Sequence, residues 1–378
     1  MKRIASTAAI VLLLAGGLRL LAQHAPPKYT LAFSDNFSSG VLDQSKWNYR
    51  TDAKRLSAQL PANVVENANH LNVKVARQSF AGYSWTAGGI VSKASFRYGY
   101  YQVQVRVTAN PGWHTSFWVL AGTGATTYTP TAKTEIDDFE INTEDPTSVS
   151  MGYLKWNNGN VVGSTRCNSN YHPGFSTAAG YHYYGFEWTE SGITYYIGGN
   201  QICTQSYPAT TWTHDLVNIW LTSIGYNSGI SVAHNPSPNS FASVSYYVRD
   251  YYVNALEPGY VEYGPGWTNS SLAGFSHLTT RSSHSTGSIA QWTPTILAAG
   301  NYDVRFWKVQ DSSSDPAAPV TVNYSGGSHT TQLNCTTGSS GWGDLGTYPF
   351  ATGSSGNVTL GYSGTGNART SMVKFVRQ

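Results

Sequence analysis

Residues 134–142 read TEIDDFEIN, and four acids, Glu135, Asp137, Asp138 and Glu140, fall within six positions of a chain that is only 11% charged. Acids lower strand propensity, yet the interspersed Ile136, Phe139 and Ile141 make the segment read as a strand. In a regular strand residues i and i+2 share a face, so Glu135 and Asp137 point together and Glu140 points away. A β-bulge inserts one extra residue and returns Glu140 to the face of the other two. Three carboxyls then project into one cleft, and Asp138 faces the opposite side.

Such a row is costly to assemble, because partly buried like charges raise one another's pKa. One acid held protonated beside another held ionised is what glycoside hydrolysis uses. Two glutamates on one strand suit the retaining geometry, with carboxyls roughly 5–5.5 Å apart. Two blander readings compete, a calcium loop and a solvated acidic face. Calcium loops are Gly-bearing turns rather than strands carrying Ile and Phe between the acids.

Outward from this segment the chain reads as β throughout. The runs HLNVKVARQ (70–78), YGYYQVQVRV (98–107), GITYYIGG (192–199) and SYYVRDYYV (245–253) alternate at period two and are rich in Tyr and Val. No amphipathic helix of three turns is found. The pattern predicts an all-β protein: a two-sheet β-sandwich or jelly roll followed by a second, smaller β-sandwich. The stretch LEPGYVEYGPG (256–266) breaks the periodicity. Beyond it come SIAQWTP, NYDVRFWKV, PVTVNYSGG, NVTLGY and SMVKFVRQ, a second set of strands. The expected division is 29–256 and 260–378, with SYYVRDYYV completing the first sandwich and few contacts crossing the boundary.

With 378 residues, two domains are expected. The net charge of +3, without a Lys/Arg run, gives no support to nucleic-acid binding. Lys2 and Arg3 precede an apolar run from Ile4 to Leu18, with Ala22 and Ala25 as small cleavage positions. Residues 1–25 therefore read as a secretory signal peptide, and the protein as secreted to the extracellular space or the periplasm. The run is shorter than the ~20 residues of a membrane span, and Arg19 interrupts it. No membrane association is expected after cleavage, and the chain is expected to act as a monomer. In an oxidising compartment Cys167 and Cys203 can pair, leaving Cys335 apart. The cysteines form no metal motif.

The acid segment resembles the bulged E-I-D-x-x-E signature of the family 16 glycoside hydrolases, which include laminarinases, other β-glucanases, agarases and carrageenases. The likeness extends around it. WTAGGIVSKASFRYGYYQVQVRV (85–107) resembles the family's G-x-I-x-S…F-x-Y-G-Y-F-E-x-R strand pair, and SFWVL (116–120) its A-F-W-L strand. YHYYGFEWTESGITYYIGG (181–199) is similar to H-x-Y-G-x-E-W-T…I-x-Y-Y-V-D-G, and FSDNF…LDQSKW (33–47) to the opening F-x-D-E-F…L-D…W. The resemblance covers roughly residues 30–254 and implies a concanavalin-like β-sandwich jelly roll for that part of the chain. It implies that Glu135 is the nucleophile, Glu140 the general acid/base and Asp137 the carboxylate between them. Where the family often carries a cleft histidine, MGYLKWNNG (151–159) offers Lys155 and Trp156. The calcium-linked Asp of the family's terminal strand is replaced by Tyr246, so no metal and no cofactor are expected.

Sugar rings present apolar C–H faces that stack on aromatic planes. Trp85, Trp113, Trp118 and Trp156 flank the expected cleft strands, and His114 follows Gly112-Trp113 there; these five are the candidate substrate contacts. The resemblance places Trp118 beneath the sugar on the non-reducing side of the scissile bond. Trp188 and Trp220 read as core. The chain has no G-x-S-x-G or H-E-x-x-H motif. The second half resembles the golvesin-type C-terminal β-domain, on QWTPTILAAGNYDVRFW (291–307), VTVNYSGG (320–327), DLGTYPF (344–350) and SMVKFV (371–376), with a role in glycan binding or as a spacer. The expected activity is retaining endo-hydrolysis of a polysaccharide, β-glucan or algal galactan. The alternatives are transglycosylation at the same acids and lectin-like binding without turnover.

Overall fold

The structure is a computed structural model, and it describes residues 25–67, 69–122, 134–234 and 237–378. Residues 1–24 of the expected leader lie outside the described residues. Among those described there is no α-helix and only two short 3-10 turns, Pro61–Asn63 and Phe275–His277. No described helix is long and apolar enough to cross a membrane.

Two antiparallel sheets form the first sandwich. One runs Asn200–Ser206, Gly192–Ile197, His182–Trp188, Gly99–Arg106, Asn239–Val248, His70–Val73, Val64–Asn67, with Thr30–Asp35 also on Asn239–Val248. The other runs Asn160–Tyr171, Val149–Asn157, Thr134–Asn142, Trp113–Ala121, Val217–Gly225, Gly89–Ser92, Trp47–Tyr49. Between them lie Val103, Val105, Tyr184 and Phe186 of the first sheet and Phe117, Ile136, Phe139 and Ile141 of the second, all at most 1% exposed. Each such side chain contributes about 1.5–3 kcal/mol of apolar burial, which fixes the two sheets face to face. The Thr134–Asn142 strand is third from one edge of its sheet, so both of its neighbours hold it rigidly.

The disulfide Cys167–Cys203 joins Asn160–Tyr171 to Asn200–Ser206, the matching edge strands of the two sheets. The sandwich is therefore closed covalently along one side. Cys335 is the free cysteine and is buried.

The second set of strands also builds two main sheets. One orders Tyr251–Asn254, Met372–Arg377, Gly300–Lys308, Gly341–Phe350; the other Tyr260–Tyr263, Ile289–Trp292, Asn357–Gly361, Ala318–Tyr324, Gly327–Leu333. Val304, Phe306, Val320, Val322, Val358, Leu360, Val373 and Phe375 are buried between them.

The junction departs from the sequence reading. SYYVRDYYV is not one strand of the first sandwich: Asn239–Val248 ends there, Arg249 and Asp250 pair with each other at a bend, and Tyr251–Asn254 joins Met372–Arg377 in the second half's sheet. The local alternation is unbroken, so periodicity alone could not register the change of partner sheet. Nor are the crossing contacts few. The buried Arg97 guanidinium holds Glu257 with both terminal nitrogens (2.9 Å to Oε2) and donates Nε to the His214 carbonyl at 2.9 Å. Ser276 Oγ accepts from the His214 amide at 2.6 Å and donates to the Trp212 carbonyl at 2.6 Å. Glu190 receives Tyr252 Oη, Lys374 Nζ and Trp342 Nε1 at 2.8, 2.8 and 3.1 Å. A crevice of about 400 Å³ opens at this junction, lined in part by Arg97, Tyr98, Asp250, Tyr252 and Glu257, and none of the four acids of 134–142 reaches it.

Candidate active site

The acid strand behaves as its spacing requires. Against Val149–Asn157 its register shifts between Asp137 and Glu140, and against Trp113–Ala121 the shift falls at the same level, between Phe117 and Trp118. Asp138 and Phe139 are the residues of this bulge. Phe139 packs on Tyr184 of the other sheet (centroids 4.6 Å apart), and Asp138 is 2% exposed on the same, inward side; burial first and then the nearby Asp138 raise the Tyr100 and Tyr184 hydroxyls. Glu135, Asp137 and Glu140 share the outer face.

Burial pushes the Glu135 carboxyl up to about 7; the 2.6 Å hydrogen bond from Trp156 Nε1 works against the shift and the Glu140 charge adds to it. Asp137 is raised well above the carboxylate range, first by burial and then by Glu140 and Glu135, and it hydrogen-bonds Glu135. A protonated Asp137 donating to Glu135 follows from that order. Glu140 differs. Burial would raise it, but a hydrogen bond from His114 and the Arg166 guanidinium outweigh burial and hold it below the ordinary glutamate range. His114 Nε2 lies 3.2 Å from Oε1, and Arg166 Nη1 is in direct contact with Oε2 and 3.3 Å from Asp137 Oδ2. Asp138 is raised by burial alone, and its Oδ2 has no hydrogen-bond partner among the described residues. It is a neutral acid in a core.

Arg166 reaches the acids by a gap in the neighbouring strand. Asp137, Gly152 and Arg166 form one row across three strands. A Cβ built at Gly152 would lie 2.5 Å from the Thr165 carbonyl oxygen and 2.9 Å from Arg166 Cδ. Only glycine lets the arginine cross that strand.

The aromatic candidates divide. Trp156 is half-buried and bonded to Glu135. Trp118 is on the acids' face, directly opposite Asp137, with Nε1 donating to Thr222 Oγ1 at 3.0 Å; it is 5% exposed and packs on Trp220 at 4.8 Å. Trp220 is thus buried, but on the cleft side of its sheet rather than between the sheets as expected. Trp188 is core. Trp113 is fully buried in a separate cluster with Val75 and Ala87, Nε1 donating to the Ser231 carbonyl at 2.9 Å, so it offers no face to a sugar. Trp85 packs edge-on against Trp113 (6.0 Å) and is half-exposed beneath the Arg77 guanidinium. His114 contacts an acid directly. Lys155 lies over the Trp212 ring at 4.3 Å.

Sequence reasoning missed Arg166, Tyr226 and Arg55. Tyr226 stacks on His114 (5.0 Å) and Arg55 caps Tyr226 at 4.3 Å. The one available signal was Gly152, a glycine inside a strand pattern, which marks a close approach.

Residues 52–221 match the family model described as glycosyl hydrolases family 16, and residues 253–377 match that of the golvesin C-terminal domain. The chain carries a family 16 glycosyl hydrolase domain followed by a golvesin C-terminal domain. Among curated relatives, a beta-glucanase of Acetivibrio thermocellus is 26% identical over 194 residues, covering 50% of this chain and 53% of the relative. An endo-1,3-1,4-beta-glycanase of Rhizobium meliloti is 26% identical over 192 residues, covering 48% of this chain and 38% of the relative. The chain thus spans about half, or less, of the length of these relatives. The solved structure of a non-specific endo-beta-1,3(4)-glucanase from family GH16 matches 60% of this chain and 93% of its own with a TM-score of 0.51 and 21% identity, a likeness of fold. The family 16 domain is the jelly-roll β-sandwich described above.

Proposed function

We propose that the protein is a secreted retaining endo-glycosidase acting on internal O-glycosidic bonds of a polysaccharide, a β-glucan or an algal galactan. The observation that carries this reading is the bulged strand that sets three carboxyls on one face, with one proton-bearing pair and one ionised member. Glu140 protonates the leaving oxygen while Glu135 attacks the anomeric carbon, and Glu140 then deprotonates the water that releases the glycosyl-enzyme. Asp137 keeps a proton on the Glu135 side of the row and orients that carboxyl. Curated relatives named beta-glucanase support the substrate class. Incubating the full chain with laminarin, mixed-linkage glucan, agar and carrageenan tests it: new reducing ends and a fast drop in viscosity on at least one polymer are expected, and none on any would refute the reading.

The protein's own groups hold their protons in an order opposite to these roles. The competent form has Glu135 ionised and Glu140 protonated. Its fraction rises with pH up to the Glu140 pKa, stays level, and falls above that of Glu135, at about 7. The alkaline limb of kcat/KM therefore reports Glu135. Trp156→Phe removes a hydrogen bond that lowers this pKa. The limb is expected to move to higher pH and the plateau to fall, roughly tenfold per unit of displacement. A limb that stays in place or moves down would show that Trp156 does not set this ionisation.

A further inference from the structure

The cleft contains a cation for which double displacement has no use. The Arg166 guanidinium touches Glu140 Oε2 and Asp137 Oδ2, and its side chain remains 38% exposed on the outer face. His114 holds the other Glu140 oxygen, Arg55 stands behind His114 through Tyr226, and Lys54 is near enough to lower Glu135. A general acid must take up a proton, and a guanidinium on its carboxylate opposes that step directly. A neutral glycan offers only hydroxyls to compete for Arg166, so moving the cation off two carboxyls would go uncompensated. A sulfate ester or carboxylate on the sugar would compensate it, because the planar guanidinium fork matches such oxyanions with two parallel hydrogen bonds.

We propose that Arg166 is a specificity-determining residue that selects polysaccharides bearing an oxyanion substituent, sulfate ester or carboxylate, on a sugar unit beside the scissile bond. The substituent draws the guanidinium away from Glu140 Oε2, and Glu140 then takes its proton from solvent. The gap at Gly152 gives the side chain its path across the strand, and its exposed part is what a substrate meets. The inference rests on the glycosidase reading of the three acids.

The test uses the full chain, wild type, Arg166→Gln and Arg166→Lys, on carrageenan (sulfate), polygalacturonate (carboxylate) and laminarin (neutral). Wild type is expected to favour one anionic polymer over laminarin at least tenfold in kcat/KM, and the responding polymer identifies the oxyanion. Arg166→Gln is expected to reduce that preference about tenfold or more through KM, with Arg166→Lys recovering part of it. Equal or better turnover of laminarin by wild type would overturn the proposal, as would an Arg166→Gln variant that lowers all polymers by one common factor. A second arm measures retardation of Glu135→Gln, with and without Arg166→Gln, in gels containing each polymer. Should wild type cleave none of these polymers, nor mixed-linkage glucan or agar, the glycosidase reading falls and this arm alone decides: retardation by an anionic polymer that is lost with Arg166 supports a role for Arg166 in oxyanion recognition, and retardation indifferent to Arg166 overturns it.

Discussion

Replacing Glu140 by Gln is expected to lower kcat by roughly 10²–10⁴-fold, the usual worth of a general acid/base, while the fold is kept. Glu135→Gln should cost at least as much, because it removes the nucleophile of both half-reactions. Azide separates the roles. Offered to the Glu140 variant, it should trap the glycosyl-enzyme as an azide of retained configuration; offered to the Glu135 variant, it should give the inverted one. Near-normal turnover in either variant on the best polymer would remove that residue from the proposed chemistry, and swapped azide products would exchange the two assignments. The stability of Glu135→Gln has its own sign. An acid whose folded pKa is raised from 4.5 to about 7 makes the fold less stable as pH rises through that window. Removing it should therefore stabilise the protein above pH 7, by on the order of 3 kcal/mol less the weakening of the Trp156 bond, which then meets a neutral amide oxygen.

The second large effect lies at the junction. Arg97 is 4% exposed, and Glu257 from beyond the first sandwich neutralises it. Glu257→Ala is expected to cost about 3–5 kcal/mol, the penalty for leaving one half of a buried ion pair unanswered. Replacing both, as Arg97→Met with Glu257→Leu, should cost far less than the single change. Truncation after Leu256 removes Glu257 and Ser276, the partners of the buried Arg97 guanidinium and of the Trp212 carbonyl, so the fragment is expected to be unfolded or insoluble rather than a working enzyme. Urea denaturation of the variants and gel filtration of the fragment measure this. A Glu257→Ala protein within about 1 kcal/mol of wild type, or a monomeric fragment with a cooperative melt, would refute the argument.

What the sequence revealed depended on how local the determinant was. The bulge at Asp138-Phe139 was legible because parity along one strand is counted within six residues. The inward placement of Asp138 followed from the same count. Trp113 was misjudged because its burial depends on Ile230 and Val232, more than a hundred residues away. Trp220 was assigned to the right state but the wrong side, since a residue buried under a cleft and one buried between sheets leave the same pattern. Arg166 was invisible for a related reason: its reach depends on a glycine in the neighbouring strand, and register between strands is not written in either one. The junction failed where two sheets meet on one continuous alternation, in which Tyr251–Asn254 differs from Asn239–Val248 only in its partner.

The bulge also decides which changes of length the acid strand can absorb. Everywhere else in a strand, losing one residue inverts every side chain beyond the loss, core to solvent and solvent to core. At Asp138 the loss instead returns the strand to a plain ladder. The former Glu140 then sits four positions from Glu135, an even number, and still faces outward. The two-residue inward payload shrinks to Phe139 alone, and the uncompensated acid disappears from the core. A deletion within the bulge is thus milder in geometry than one in a regular part of the strand. The site can shorten by a residue while its three carboxyls stay on one face.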